Sequence, residues 1–169
     1  MPVKKIKNRV VGLPPKMVYP CGFFNGATAK NIGGAGIVIH INSSHSVHFS
    51  LGCGKCTNTK SEMMALWALL TVSKYMGLPL HTIYGDSLVI ISWASGKTTL
   101  NLPHLSHWCD DIRKLLQNSL GMIMDHIYRE HNQIADSLSK NALLLDSGIG
   151  YFKEILNDIT TDHGNFRLF

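Results

Sequence analysis

Three acids stand where helices begin or strands end. Glu62 lies at the start of the string SEMMALWALLTVSKYM, Asp86 follows the apolar string HTIYG, and Asp136 comes a few residues after MIMDHIY. Carboxylates brought together repel, and each resists ionising beside the others. Hard divalent cations with oxygen ligands are the usual remedy. Taken singly, each acid is more often a helix-start charge favoured by the helix dipole. The nine histidines show no H-x-x-x-H or H-E-x-x-H pattern. Cys53 and Cys56 form a lone C-x-x-C with no second pair at zinc-site spacing. Reduced thiols in an intracellular protein are the expectation, with nucleus and cytoplasm undistinguished.

The elements that must position these acids are legible in outline. Residues 18–24 read as a first strand, ending at the turn-prone Asn25-Gly26. Ala35, Ile37, Ile39 and Ile41 alternate with smaller or polar residues, as do Val47, Phe49 and Leu51 beyond Asn42-Ser43-Ser44. Period-two alternation across a short polar turn predicts an antiparallel hairpin. A helix is predicted over 61–76, with Glu62 in its first turn and Met63, Leu66, Trp67 and Leu70 on one stripe. A strand over 81–85, a short helix from Asp86-Ser87 to Ser95, and an amphipathic helix around Leu105–Leu116 follow. A strand over 122–128 and a helix marked by Ile134, Leu138, Ala142 and Leu145 complete the pattern. The order β-β-β-α-β-α-α-β-α predicts an α/β fold with a mixed sheet and helices on its faces. Residues 1–17 form a basic, proline-containing lead-in. Residues 149–169 form a C-terminal extension with one short helix expected over 151–156.

The chain has 169 residues, enough for one domain with a sizeable core, and a composition that excludes collagen-like, disordered and disulfide-dense classes. No apolar run approaches the ~18 residues of a membrane span, and the start of the chain has no apolar signal core, so no membrane partner is expected. Charge is unevenly placed. Residues 1–61 carry Lys4, Lys5, Lys7, Arg9, Lys16, Lys30, Lys55 and Lys60 and no acid, whereas all 11 acids lie from Glu62 onward. A basic stretch without acids suggests a polyanionic partner, or simply a solvated surface.

The strings FFNGATAKNIGGAGIVI, TNTKSEMMALWALL, YGDSLVIISW and REHNQIADSLSK, in this order, resemble the ribonuclease H domain of type 1. The variety is similar to that of plant non-LTR (LINE-type) retrotransposons and related plant domains; the resemblance covers about residues 18–145, and the domain it implies is bounded at 18–148. It implies the RNase H-like fold, a five-stranded mixed sheet with three antiparallel meander strands and two parallel strands. It implies endonucleolytic hydrolysis of the RNA strand of RNA–DNA hybrids. The cofactor implied is two Mg²⁺ ions, with Mn²⁺ as a substitute, held by four acidic positions. Three map onto Glu62, Asp86 and Asp136. The fourth, an Asp-Gly in the family, is Asn25-Gly26 here. Asn keeps the shape but loses the charge of a ligand that both ions share, so activity is expected to fall by orders of magnitude. An engineered exchange that traps uncut substrate fits this near-isosteric swap best. A decayed natural copy or a working Asn variant would also place Asn here, and a catalytically dead nucleic-acid-binding module is the alternative function.

The same resemblance implies substrate contacts. Gly26, Ala27 and Asn31 fall in what reads as a loop that meets RNA riboses, where 2′-hydroxyls tell RNA from DNA. Asn58 and Thr59 match residues that bridge both strands. Lys55 and Thr57 match a DNA-phosphate pocket, a cation with a hydroxyl donor, whose third member is Asn101 or His104. Thr57 and Asn58 serve equally well as caps of the long helix. Arg129, Glu130 and His131 occupy the region of the family's mobile histidine loop. The basic helical handle of some members is absent between Asp86 and Trp108, which leaves the lysines and arginine of 1–17 as the source of non-specific affinity. The domain is expected to be monomeric, and fusion to a reverse transcriptase is the partner arrangement implied.

Overall fold

A single sheet organises the chain, and a computed structural model describes it over residues 13–169. Lys4, Lys5, Lys7 and Arg9 of the lead-in lie outside the described residues. The strands are β1 (Cys21–Ala29), β2 (Ile32–Asn42), β3 (His45–Lys55), β4 (Thr82–Gly85), β5 (Ile123–His126), β6 (Ile149–Leu156) and β7 (Ile159–Arg167). The helices are α1 (Asn58–Tyr75), α2 (Leu88–Ala94), α3 (Ser106–Gln117) and α4 (Gln133–Asn141). The sheet order is β5-β4-β1-β2-β3-β6-β7, with β1 parallel to β4, β4 parallel to β5 and the other pairs antiparallel.

The expected meander and crossovers form. Two boundaries move. Asn25-Gly26 does not turn: β1 runs through it, pairing Asn25 with Gly36 and Gly26 with Ala35. The reversal comes at Lys30-Asn31, both left-handed with φ of 51° and 63°. Such a two-residue turn matches the twist of the strands it joins. The long helix also starts earlier, at Asn58, because the Thr57 hydroxyl caps it by accepting from the Lys60 N–H at 3.3 Å. Glu62 is therefore in its second turn.

The C-terminal extension holds a hairpin where a short helix was expected, giving seven strands instead of five. YFKEIL has no period-two pattern, but β3 offers an open edge with which it pairs. Phe152 pairs with Phe49 in register, and both Phe152 and Phe166 pack on the Phe49 ring at 6.4 and 6.0 Å between centroids. Asn157 and Asp158 make a left-handed turn like the first. Leu168 N–H then donates to the Gly148 carbonyl, which seats Phe169 against Trp67 and Trp108. Tertiary pairing has overridden a local helical preference.

The main core lies between the sheet and α1, whose Met63, Met64, Leu66 and Leu69 are fully enclosed. The helix is buried on more than the expected stripe because α3 covers its outer side with Trp108 and Ile112. The opposite sheet face carries Phe23, Val38, Tyr84 and Ile127, and α4 closes on it with Ala135 and Leu138. Helix α4 sits against the backbone of Gly36. A Cβ there would collide with the Ala135 carbonyl and lie 2.5 Å from the Ser139 nitrogen. Gly36→Ala should therefore push α4 off the sheet at a cost of about 2 kcal/mol, read as a lower denaturation midpoint. An unchanged midpoint would mean that α4 does not need this close approach.

Candidate active site

Four side chains meet at one end of the sheet, each delivered by a different element. Asn25 comes from the middle of β1, where strand alternation turns it toward α4 while Phe24 turns into the main core. It is 4% exposed. Its Nδ2 donates to Asp136 Oδ1 at 3.1 Å and to Ser139 Oγ at 3.0 Å. The Ser139 hydroxyl gives its own proton to the Asp136 carbonyl at 2.6 Å, so its oxygen is free to accept from Asn25. Asp136 lies in the first turn of α4, and Ser139 lies three residues on, along the same face.

Glu62 reaches the site from α1, which can come this close because position 26 has no side chain. A Cβ on Gly26 would strike the Glu62 nitrogen. The Gly26 N–H donates to the Glu62 carboxylate. Burial dominates all the same, and with Asp86 and Asp136 nearby it pushes the Glu62 carboxyl up to about 8. Glu62 Oε2 is buried without a hydrogen-bond partner. Asp86 follows β4, just before the Ser87 cap of α2, whose hydroxyl accepts from Ile90 N–H at 3.4 Å. Burial raises the Asp86 carboxyl as well; a hydrogen bond from Asn132 and the charge of Arg129 oppose the rise.

Cationic groups surround Asp136. Lys140 Nζ is 2.9 Å from its Oδ2, and Arg129 is 3.9 Å from its Oδ1. Asn132 is 1% exposed; it donates to the Phe24 carbonyl at 3.0 Å, while its Oδ1 has no partner. Asn132, Ser139 and Lys140 lie within the string REHNQIADSLSK, which assigned them no role. A signal was present for two of them: Ser139 and Lys140 follow Asp136 at the three- and four-residue spacing of one helical face.

This donor set fits a hard cation only in part. The unpartnered Glu62 oxygen and the neighbouring Asp86 suit one. Asp136 does not, because an amide donor and an ammonium already hold both its oxygens. Among the described residues, no three His, Cys, Asp or Glu side chains form a ready group of metal ligands.

The expected substrate residues are spread over β1, the turn after it, the junction of β3 with α1, the stretch before α3 and the stretch before α4. Gly26 and Ala27 lie within β1, not in a loop, and Asn31 is in the turn that follows. The Asn31 carbonyl accepts from Cys56 N–H at 2.8 Å, which ties that turn to the junction of β3 and α1, where Lys55 ends the strand, Thr57 caps the helix and Asn58 and Thr59 begin it. Thr28 Oγ1 donates to Asn58 Oδ1 at 2.6 Å. Asn101 and His104 are both exposed before α3. Arg129 approaches Asp136, whereas His131 lines a cavity of about 260 Å³ with Pro14, Pro15, Met17 and Phe23.

The family described as reverse transcriptase-like matches residues 23–142, the span from β1 to the end of α4 that holds all four positions. The chain belongs to that family. An uncharacterized protein of Bacillus subtilis (strain 168), YpeP, is 30% identical over 129 residues, 72% of this chain and 57% of that protein. The match thus spans little more than half of this relative. The RNase H1 of the halophilic archaeon Halobacterium salinarum is 27% identical with a TM-score of 0.68, covering 73% of this chain and 96% of that one. LC11-RNase H1, solved in complex with an RNA/DNA hybrid, is 23% identical with a TM-score of 0.66, covering 73% and 95%. The reverse transcriptase-like chain therefore has an RNase H-like fold, with the two strands β6 and β7 added at one edge.

The raised Glu62 carboxyl has a consequence for stability. From the ordinary carboxylate range up to about 8, the folded state keeps a proton that the unfolded chain has lost. Stability must therefore fall as pH rises through that window. Glu62→Gln should flatten this fall in urea midpoints measured across the window. An equally steep fall in the variant would show that Glu62 is not its source.

Proposed function

We propose that this chain binds RNA–DNA hybrids across a rim of Asn31, Lys55, Thr57, Asn58 and Thr59, and that Asn25 impairs hydrolysis of the RNA strand. The observation that carries this reading is the meeting of Asn25 with Glu62, Asp86 and Asp136 at one end of an RNase H-like sheet. The similarity to LC11-RNase H1 supports hybrid as the ligand. The family description supports association with a reverse transcriptase; a plant retrotransposon is the source we infer from the resemblance of the sequence strings alone.

The rim has the chemistry for a hybrid. Lys55 offers a cation and Thr57 a hydroxyl for a phosphate, and Asn31 and Asn58 offer amides to groove edges and 2′-hydroxyls. Gly26 and Ala27 present backbone close to the acids. When bound, Mg²⁺ or Mn²⁺ supplies an activated water and stabilises the leaving oxygen in enzymes of this class. In this chain the residues themselves hold the site: Asn25 and Lys140 fix Asp136, the Gly26 amide fixes Glu62, and Asn132 fixes Asp86. A non-catalytic hybrid-binding module is the second reading, favoured by the donor that Asn25 aims at Asp136.

The purified chain should bind an RNA–DNA hybrid more tightly than double-stranded DNA in fluorescence anisotropy. Equal affinities would argue against a rim that reads 2′-hydroxyls. Asn25→Asp, assayed with Mg²⁺ and with Mn²⁺, should cleave the RNA strand about 100-fold faster than the parent, as expected if one charged ligand contributes a few kcal/mol. An inert Asn25→Asp protein that still binds hybrid would leave the binding-module reading standing and remove the impaired-enzyme one.

A further inference from the structure

We infer that Lys140 is a resident counter-cation of Asp136, which a divalent ion must displace before that carboxylate can serve as a ligand. The inference concerns regulation of the site proposed above and rests on that reading only for the identity of the ions.

Asp136 carries one negative charge and two oxygens. Oδ2 faces the Lys140 ammonium at 2.9 Å, and Oδ1 faces the Asn25 amide at 3.1 Å, with the Arg129 guanidinium at 3.9 Å. The Asp136 side chain is 19% exposed, so the Lys140 contact is only partly screened by water. The spacing of four residues on α4 places the ammonium over the carboxylate without distorting the helix. Lys140 itself is 59% exposed, and its long stem allows it to swing away at little cost.

The other two carboxylates are served differently. Glu62 receives a backbone N–H and has one oxygen without a partner. Asp86 receives Asn132. Neither has an ammonium in contact among the ion pairs of the described residues. The intrachain neutralisation is thus concentrated on Asp136, the acid that faces the uncharged position 25. Asn25 makes the arrangement self-consistent: its two amide hydrogens go to Asp136 and Ser139, both of which present oxygens toward it. A carboxylate at position 25 would place charge against charge and call for a cation at the place Lys140 now partly neutralises.

The test is Mn²⁺ affinity by calorimetry on Asn25→Asp alone and combined with Lys140→Met or Lys140→Arg, with circular dichroism confirming the fold of each. Lys140→Met should tighten Mn²⁺ binding by Asn25→Asp about tenfold. Lys140→Arg, which keeps the cation, should leave it unchanged. Equal affinities for Asn25→Asp with and without Lys140→Met would overturn the inference. So would the same tightening with Met and with Arg, or no saturable Mn²⁺ binding in any of the three. Hybrid binding by the parent chain is measured separately, so loss of the hybrid reading would not be mistaken for loss of this one.

Discussion

The hydrogen bond from the Asn25 amide to Asp136 joins two parts of the chain 111 residues apart. Much of the site's geometry depends on it. Asn25 belongs to a central strand and Asp136 to a helix on the sheet face. The distance between them is set by how near α4 comes to Gly36, where any side chain would hold it off. Once that contact is made, Ser139 falls beside Asn25 and Lys140 beside Asp136. Glu62 and Asp86 then need only the ordinary ends of α1 and β4 to reach the same place.

The electrostatics of this end follow from that arrangement. Several carboxylates share a poorly solvated corner, and each is relieved in its own way. Asp136 is relieved by an ammonium and an amide, Asp86 by Asn132, and Glu62 by a backbone N–H that does not offset its burial. An uncharged residue at the centre removes one negative charge from the corner. The same residue supplies a donor where the family resemblance puts an acceptor. The site therefore has two properties at once: the residues that the resemblance assigns to a nuclease centre lie together, and the hydrogen-bonding scheme at Asp136 is satisfied from within the chain.

How far this was legible in sequence depends on the range of the interaction. Strand alternation and helical stripes are local, and they indicated the meander, the crossovers and the placing of Glu62, Asp86 and Asp136. Position 25 also stood out, because Asn-Gly replaces a family Asp-Gly. What local patterns missed was decided at a distance. Asn-Gly is turn-prone alone, yet pairing with Gly36 and Ala35 keeps it extended. YFKEIL has helical residues, yet the free edge of β3 and the Phe49 ring draw it into the sheet. Ser139 and Lys140 were ordinary helix residues until α4 docked. The acid-free first 61 residues drew notice as a charge imbalance, and part of that imbalance is the missing carboxylate at position 25.

Which atom Asn25 presents to Asp136 decides whether the site is held from within the chain, and the side-chain amide protons of Asn25 report this directly. In a ¹H–¹⁵N spectrum of the ¹⁵N-labelled chain, Asn25→Ala assigns the pair by its disappearance. Both Asn25 Nδ2 protons are predicted to exchange slowly with solvent and to stay unshifted as Mg²⁺ is added. A saturable Mg²⁺-dependent shift of that pair, or rapid exchange without the ion, would show the carboxamide oxygen turned toward a cation and would contradict a site satisfied by its own residues.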